Sequence, residues 1–462
     1  MLRRVLTLRD VVLFYVVAIV GLRWLSMAAA AGPSALVIWL IAAVALFLPL
    51  AFATIELAAR HPEEGGIYVW VRHAFGDFAG FMTAWLYWVS NLVYLPGALY
   101  FLAGNALFIG GDPWQGLSDS PAYYVAVSML GVTIGIGLNT IGLSVGKRLH
   151  NLGGQATWVT VAVLCAMGGI ALARFGSATD FGHGALQPST RLADIYFWST
   201  IAFAFSGFEA ASLMGEEIHD ARRMVPRAVV IAGIVIVAIY VLGTTAILVS
   251  LPSSEVGGIQ GILQAIESIA RRAGMPWLSP LVALLVTVAA LGATSAWLAA
   301  TARLIFVTGV DRYLPPVFGR VHPKWGTPVA ALVVQGIGAV FFALLGQLGA
   351  SVKSAYDFLV SMGVITYFIP YLFMFAALLK AQRDPLPAGA KRAPGGRPMA
   401  VLMAMLGMAT LLISIVLAVF PPGEGSSGSI RVLVATLLVT ALGVALYLRA
   451  LRRRSAGLSG RS

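Results

Sequence analysis

About twelve long apolar segments divide this chain, and they leave little length for anything except membrane spans. A helix needs about 20 apolar residues to cross a bilayer. Hydrophobic residues make up 59% of the 462 residues and charged residues only 11%, a composition that excludes a soluble domain of this length. The sequence therefore predicts an all-α membrane protein with twelve transmembrane helices. To within a few residues, the predicted spans are 11–31, 34–58, 78–108, 121–143, 156–174, 194–214, 228–251, 279–306, 329–349, 354–380, 399–420 and 431–449.

Positive charges are distributed unevenly between the two sets of loops. Most of the 31 Lys and Arg residues fall in the N-terminus, in alternate loops and in the tail, while Arg23 and Arg303 fall inside predicted spans. By the positive-inside rule, both termini are expected in the cytoplasm, with the protein in the cell (inner or plasma) membrane. The first segment is expected to remain as a span, because it is longer than a signal-peptide core. The net charge of +12 indicates anionic lipid headgroups as partners, and not nucleic acid.

Two of the predicted spans carry interruptions near their middles. The sixth reads W-S-T-I-A-F-A-F-S-G-F-E from Trp198 to Glu209, and the first reads V-G-L-R-W from Val20 to Trp24. A broken helix exposes backbone polar groups that lipid cannot satisfy, so each break is expected to line a cavity within the protein. Broken helices five spans apart are typical of transporters built from two inverted repeats, which hold substrate between the breaks.

Glycines alone would be weak support for this interpretation, because small residues also serve simple packing of membrane helices. At such a break, however, the helix N-terminus offers free N–H groups and the positive end of the dipole to a carboxylate. The opposing C-terminal carbonyls suit an ammonium group or a cation. The pattern thus favours a small zwitterionic or amine substrate.

The sequence gives little support for an enzymatic activity. The spacing of the histidines matches no metal motif, and all of them fall in predicted loops. Gly146-Lys147 is followed by Arg148 and not by Ser or Thr, so no nucleotide-binding loop is expected there. The single cysteine, Cys165, is expected to be a packing residue. We therefore predict neither a cofactor nor an enzymatic activity; the six histidines are His61, His73, His150, His183, His219 and His322.

Several stretches resemble the amino acid-polyamine-organocation (APC) family of secondary transporters. These are P-E-E-G-G-I-Y-V-W at 62–70 with Phe75-Gly76, the segment 203–227 with its double glutamate at 216–217, and the segment 302–328. The double glutamate at 63–64 and the F-P-P-G-E motif at 420–424 look most similar to the glutamate/GABA antiporter branch of that family. The likeness extends over nearly the whole chain.

The resemblance implies a leucine-transporter-like fold with a five-plus-five inverted repeat. It places the transport core at 1–398, with repeats at about 11–174 and 194–380, two additional helices at 399–449 and a basic cytoplasmic tail at 450–462. It also implies an amino acid site between spans one, three, six, eight and ten. The residues that match the family's substrate and gating positions are Trp88, Asn91, Phe203 (also an aromatic gate), Ser206, Gly207 and Glu209 (a proximal gate). Gly21, Leu22 and Arg23, at the break in span one, are further substrate-binding candidates.

The chain departs from the family at two places. Span one has Val20-Gly21-Leu22 where the family usually has Gly-Ser-Gly, and span five has no lysine that could carry a proton. In related folds a hydroxyl pair such as Thr294 and Ser295 can bind Na⁺, although such hydroxyls more often bond to their own helix turn. We predict no metal site apart from this weak sodium candidate.

Arg23 is an unusual residue for the middle of a span, because a guanidinium keeps its charge and must find a partner. One hypothesis is that it binds a substrate carboxylate, such as the distal one of an acidic amino acid. The other is a permanent ion pair with Glu209 or Glu56. Glu209 itself is a candidate proton carrier, and Glu56 is expected to pair with Arg60. Aromatic residues such as Tyr87, Trp297 and Tyr367 are expected to serve mainly in packing.

Taken together, the sequence predicts a secondary active transporter for an amino acid or related amine, working by alternating access as an exchanger or a proton symporter. The alternatives are a non-transporting sensor or binding protein on the same fold and a Na⁺-coupled symporter. A passive channel is not favoured, because no continuous polar stripe runs along the spans. The sequence does not define an oligomeric state.

Overall fold

The computed structural model describes residues 4–118, 120–182, 184–189, 192–257, 260–347, 352–387, 392–420 and 425–459. Within these ranges the chain is helical, and its only β-type pairing is an isolated parallel bridge between Leu6 and Ile218. His183, the motif residues 421–424 and the last three residues of the predicted tail lie outside the described residues.

The helices follow one another with short connections. Their bounds are α1 Leu8–Ile19, α2 Leu22–Ala30, α3 Ser34–Ala42, α4 Leu48–Arg60, α5 Ile67–Phe75, α6 Asp77–Ala106, α7 Asp112–Gln115, α8 Pro121–Ile141, α9 Leu143–Phe175, α10 Leu192–Ala204, α11 Ala221–Ser250, α12 Gly261–Arg272, α13 Leu278–Val310, α14 Val329–Gln347, α15 Val352–Ala381, α16 Gly396–Ala418 and α17 Gly425–Ser459. A π-helical turn, Ala43–Phe47, joins α3 to α4, and 3₁₀ helices lie at Leu107–Ile109, Ala210–Glu217, Ser253–Glu255 and Pro316–Gly319.

Ten helical stretches within the described ranges are long and apolar enough to cross a membrane. They correspond to all the predicted spans except the sixth, which is broken, and the ninth, where the apolar helix Val329–Leu344 is shorter. The all-helical membrane fold is therefore confirmed. The count of twelve spans and the division into two inverted repeats stay predictions.

Both predicted helix breaks are present. In the first span, α1 ends at Ile19 and α2 begins at Leu22, with Val20 and Gly21 in non-helical conformations between them. In the sixth, α10 ends at Ala204, and the chain resumes at Ala210 as a 3₁₀ helix. Gly207 has φ +127°, a backbone conformation that residues with a Cβ rarely adopt.

The long helices pack closely enough to hold these breaks in place. Where α9 crosses α13, a Cβ on Gly292 would lie 2.7 Å from the Cα of Gly153, so only glycine fits. On the other side of the breaks, Trp39 stacks on Tyr240 with ring centroids 4.2 Å apart. A fully buried aromatic core thus surrounds the broken segments.

One face of the molecule, here called the N-terminal face, joins the start of the chain to the end of the broken sixth segment. The N–H groups of Val5 and Leu6 both donate to the carbonyl of Glu217, at 2.9 and 3.0 Å. The loop between α4 and α5, residues 61–66, contributes a third contact, since Gly65 N donates to Leu213 O at 3.2 Å. This face therefore closes the molecule beneath both breaks.

Candidate functional site

The two helix breaks meet at the centre of the molecule. The hydroxyl of Tyr240 lies 2.6 Å from the carbonyl oxygen of Ile19 and 2.9 Å from that of Ala204, the last residues of α1 and α10. The indole Nε1 of Trp297 donates to Ala18 O at 2.9 Å. Side chains on α11 and α13 thus satisfy carbonyls that the breaks release, which is how an irregular backbone can persist at membrane depth.

A small cavity lies where the breaks meet. Its free volume is about 20 Å³, room for roughly one water molecule and far less than the several hundred Å³ of ordinary ligand sites. The described structure is therefore closed around this site. The cavity is lined by Ala18, Ile19, Trp24, Asn91, Tyr94, Phe203, Ala204, Ser206, Trp297 and Tyr367.

Aromatic rings close over the cavity around Phe203. The Phe203 ring makes edge-on contacts with Trp24 and Tyr367, at centroid distances of 5.9 and 5.4 Å, and lies 6.0 Å from Tyr94. The hydroxyl of Ser206 is buried at the same cavity and has no hydrogen-bond partner among the described residues. The cavity therefore offers ring faces together with one unsatisfied polar group.

Glu209 lies at the break in the sixth segment and is fully buried. One carboxylate oxygen accepts hydrogen bonds from the hydroxyls of Tyr87, at 2.5 Å, and Tyr367, at 2.9 Å. The other accepts from Tyr371 at 2.6 Å. The hydroxyl of Tyr371 in turn accepts from the N–H of Gly207 at 2.9 Å. Three tyrosines from two other helices therefore fix the carboxylate and the break together.

All three tyrosines are functional candidates, although the sequence assigned Tyr87 and Tyr367 mainly to packing and did not single out Tyr371. A signal for them exists, because Tyr367 and Tyr371 are four residues apart on α15 and so present their hydroxyls on one face. Likewise, Tyr87 precedes Asn91 by four residues on α6, and its carbonyl accepts a hydrogen bond from Asn91 Nδ2 at 2.8 Å. The sequence could not show that the Tyr87 side of α6 and the Tyr367–Tyr371 side of α15 both face Glu209.

Arg23 is a buried cation that has no anionic partner in the part of the chain that the structure describes. Its side chain is only 6% exposed, and its guanidinium lies over the rings of Trp24 and Tyr94, 4.3 and 4.4 Å from their centroids. Within the described ranges it forms no ion pair, and its buried Nε has no hydrogen-bond partner. The alternative hypothesis, an ion pair with Glu209 or Glu56, is not met in this structure, where those carboxylates bind other groups.

A second cavity receives the Arg23 side chain. Its free volume is about 30 Å³, and Gly21, Leu22, Tyr94 and Thr157 are among the residues that line it. Tyr94 also lines the central cavity, so the two spaces share a wall. Arg23 thus lies beside the first break, one aromatic ring away from the central cavity.

The structure places Trp88 outside this group. Its indole donates to the side chain of Gln335, and the ring lines a separate apolar cavity of about 190 Å³ with Phe81, Trp85 and Leu304. Trp88 and Asn91 are three residues apart on α6, so their side chains point about 60° apart around the helix, which turns them toward different cavities. Asn91 therefore faces the central cavity and Trp88 does not.

The weak sodium candidates are already engaged. Thr294 donates to the carbonyl of Ala290 in its own helix at 2.9 Å. Ser295 accepts a hydrogen bond from Asn139 Nδ2 at 2.8 Å and lies 3.2 Å from His150 Nε2. His150, expected in a loop, lies in the core and is 2% exposed, because α9 already begins at Leu143.

A buried charge cluster closes the N-terminal face. Arg303, fully buried on α13, binds Glu217 through two hydrogen bonds of 2.8 and 3.1 Å and also donates to Ala299 O. Glu64 lies 4.0 Å from the same guanidinium and accepts from the N–H of Glu216. Burial, followed by the nearby Glu217 carboxylate, raises the pKa of Glu64 well above its usual range. Two carboxylates thus share one guanidinium.

Glu56 behaves as the sequence predicts. Its carboxylate accepts from Arg60 at 2.9 and 3.1 Å, and the second oxygen accepts from the backbone N–H of Ala393 at 2.6 Å. Both charged side chains are 2% exposed. This pair therefore ties the end of α4 to the segment that precedes α16.

Known proteins match nearly the whole length of this chain. Residues 6–442 match the family described as amino acid permease. An uncharacterized transporter of Legionella pneumophila is 28% identical over 426 residues, which cover 91% of each chain. An uncharacterized transporter of Mycobacterium tuberculosis is 30% identical over 79% of this chain and 78% of its own. A probable agmatine/putrescine antiporter of Lactococcus lactis is 25% identical over 85% of this chain and 83% of its own.

Proposed function

Because this chain belongs to the amino acid permease family, we propose that it carries an amino acid across the cell membrane by alternating access, as a secondary active exchanger. Its family and the ten long apolar helices among the described residues make it a multi-pass membrane protein, and its relatives are transporters, not enzymes. The observation that carries the proposal is the meeting of two broken segments around a closed central cavity. In such an arrangement the ends of half-helices bind the charged groups of the substrate.

Arg23 would bind the carboxylate of the substrate. A buried guanidinium that packs against two ring faces and forms no ion pair among the described residues lacks the anion that would offset its desolvation. The N-terminus of α2 adds the N–H groups after Gly21 and the positive end of a helix dipole at the same place. We therefore favour an amino acid over a diamine as substrate, even though one relative is named as a probable agmatine/putrescine antiporter.

The remaining candidate residues take complementary roles in this proposal. Asn91 and Ser206 offer polar groups at the cavity, and Phe203 closes it as an aromatic gate. Glu209, with its three tyrosines, forms the proximal gate between the cavity and the N-terminal face. In opening, the Tyr87, Tyr367 and Tyr371 hydroxyls would leave the carboxylate and rehydrate.

Exchange is favoured over coupling to an ion gradient. It requires no titrating residue, and a relative is named as an antiporter. Sodium coupling has little support because Thr294 and Ser295 are engaged with protein groups. Proton symport through Glu209 remains the second candidate, since the carboxylate is fully buried beside the cavity.

The proposal is tested by exchange in proteoliposomes with pairs of labelled substrates that differ by one carboxylate. Suitable pairs are ornithine and putrescine, arginine and agmatine, and histidine and histamine, with vesicles empty, preloaded or held at a pH gradient. We expect uptake only into preloaded vesicles, with the amino acid preferred about tenfold or more, the effect of one charged hydrogen bond. Arg23→Gln should abolish this preference, while Arg174→Gln, an exposed arginine at the end of α9, should keep it.

Other outcomes of this experiment distinguish exchange from proton symport, test the role of Arg23, and distinguish transport from binding alone. Uptake driven by a pH gradient alone would replace exchange by proton symport. Equal transport of the amine and the amino acid would contradict the role of Arg23 and leave the transport function standing. Saturable binding without any transport would favour the sensor or binding protein.

A further inference from the structure

Three potential metal ligands converge on the N-terminal face, away from the central cavity. His61 ends α4, Glu63 follows two residues later, and His73 lies near the end of α5. Their ligand atoms all lie within 4.8 Å of one another, and the two imidazole rings stack with centroids 4.5 Å apart. The linear spacing of the histidines matches no metal motif, but the turn through residues 61–66 brings them together.

The state of these side chains suits metal binding. Each imidazole offers one ring nitrogen and Glu63 one carboxylate oxygen as a ligand atom. Two imidazole nitrogens and one carboxylate oxygen form a donor set typical of Zn²⁺ and related ions, with a fourth position for water. Mg²⁺ and Ca²⁺ prefer all-oxygen sites.

Only small movements would complete the site. Tetrahedral Zn²⁺ with ligands at about 2.0–2.1 Å requires ligand atoms roughly 3.3 Å apart. Glu63 and His73 are exposed, so their side chains can rotate toward His61 without disturbing the core. Arg60 precedes His61, but its charge is offset by Glu56. The positive charge of Arg222 also acts on His61, and the carboxylate of Glu63 offsets it.

The same turn carries the closure of the N-terminal face. Trp70 Nε1 donates to His61 O at 3.0 Å, which anchors α5 to the end of α4. The carbonyls of Pro62 and Glu63 lie so close to Gly215 that a Cβ there would come within 2.3 and 2.8 Å of them. An ion that joins His61, Glu63 and His73 would therefore hold this turn in its closed position.

We propose that a borderline divalent transition-metal ion of the Zn²⁺ class binds His61, Glu63 and His73 and slows transport by holding the N-terminal face closed. Binding stands independently of the transport mechanism, whereas the inhibitory part rests on the proposed function.

Calorimetric titration of the chelator-treated, purified protein with ZnCl₂ tests the binding. We expect one equivalent to bind to the wild type and to His219→Ala, an exposed histidine on the same face. In the double variant His61→Ala and His73→Ala, affinity should fall by more than the roughly 10–100-fold that loss of an outer-shell partner costs. MgCl₂ and CaCl₂ should not compete. No wild-type binding, or unchanged affinity in the double variant, would overturn the site.

Transport assays test whether the bound ion slows exchange. Zn²⁺ added on the side of the N-terminal face should slow exchange by the wild type and by His219→Ala, and the double variant should resist it. If Zn²⁺ binds at one equivalent but leaves the wild-type exchange rate unchanged, the inhibitory role is refuted and the site alone remains. An exchange rate in the double variant equal to that of the metal-free wild type confirms that the ligands serve no other step.

Discussion

Replacing Arg303 by Gln should lower the free energy of unfolding by about 3–5 kcal/mol, the cost of removing one partner from a buried ion pair. The guanidinium is fully buried, and its hydrogen bonds reach Glu217 and the carbonyl of Ala299. Without it, the carboxylates of Glu217 and Glu64 face each other away from water. Thermal unfolding of the detergent-purified variant, together with its yield in membranes, measures the loss.

An exposed ion pair supplies the matched control. Arg271 binds Glu267 through hydrogen bonds of 2.9 and 2.6 Å, but its side chain is 62% exposed. Arg271→Gln should therefore cost less than about 1 kcal/mol. Adding Glu217→Gln to Arg303→Gln should recover part of the loss, because fewer buried charges then lack a partner. Equal losses for Arg303→Gln and Arg271→Gln would contradict the buried cluster.

Replacing Gly207 by Ala should stop transport and destabilise the closed structure by about 1–3 kcal/mol, the usual cost of a strained backbone conformation. Gly207 has φ +127°, and a Cβ there would lie 3.0 Å from the side chain of Ile19 and 3.3 Å from that of Trp297. Both contacts belong to the wall where the two breaks meet. Exchange rates and thermal unfolding of the variant measure the two effects.

Gly169 on α9 is the control for this substitution. A Cβ at Gly169 would meet nothing within 4 Å, and alanine favours helix over glycine by about 1 kcal/mol. Gly169→Ala should therefore keep transport and leave stability equal or higher. Normal exchange by Gly207→Ala would show that the break does not need this conformation.

The helical membrane fold and the positions of both breaks were accessible from the sequence, since apolar length and glycine placement are local signals. The start of the fifth span was not. Apolarity alone places it at 156, yet α9 begins at Leu143, because polar residues such as Lys147 extend the helix beyond the apolar segment and bind Asp10 at 2.9 Å. His150 was therefore expected in a loop and lies in the core.

Contacts between residues that lie far apart in the chain could not be predicted from the sequence. Charge balance suggested Glu209 as the counter-ion of Arg23, but three tyrosine hydroxyls occupy that carboxylate. The tyrosine hydroxyls are neutral, so no charge pattern in the sequence points to them, and they lie on helices distant from Glu209 in the chain. The approach of His61 to His73 depends in the same way on a turn whose geometry includes two left-handed glycines, Gly65 and Gly66.

The cavity between the two breaks is expected to bind the transported amino acid. The chain has one cysteine, so Cys165→Ala gives a clean background for Ser206→Cys at the cavity and for Thr308→Cys at the separate apolar cavity. The rate of labelling by a water-soluble thiol reagent is measured with and without the amino acid that exchanges fastest. We predict that the amino acid slows labelling at position 206 and leaves position 308 unchanged. A labelling rate at position 206 that saturating amino acid leaves unchanged would contradict binding in this cavity.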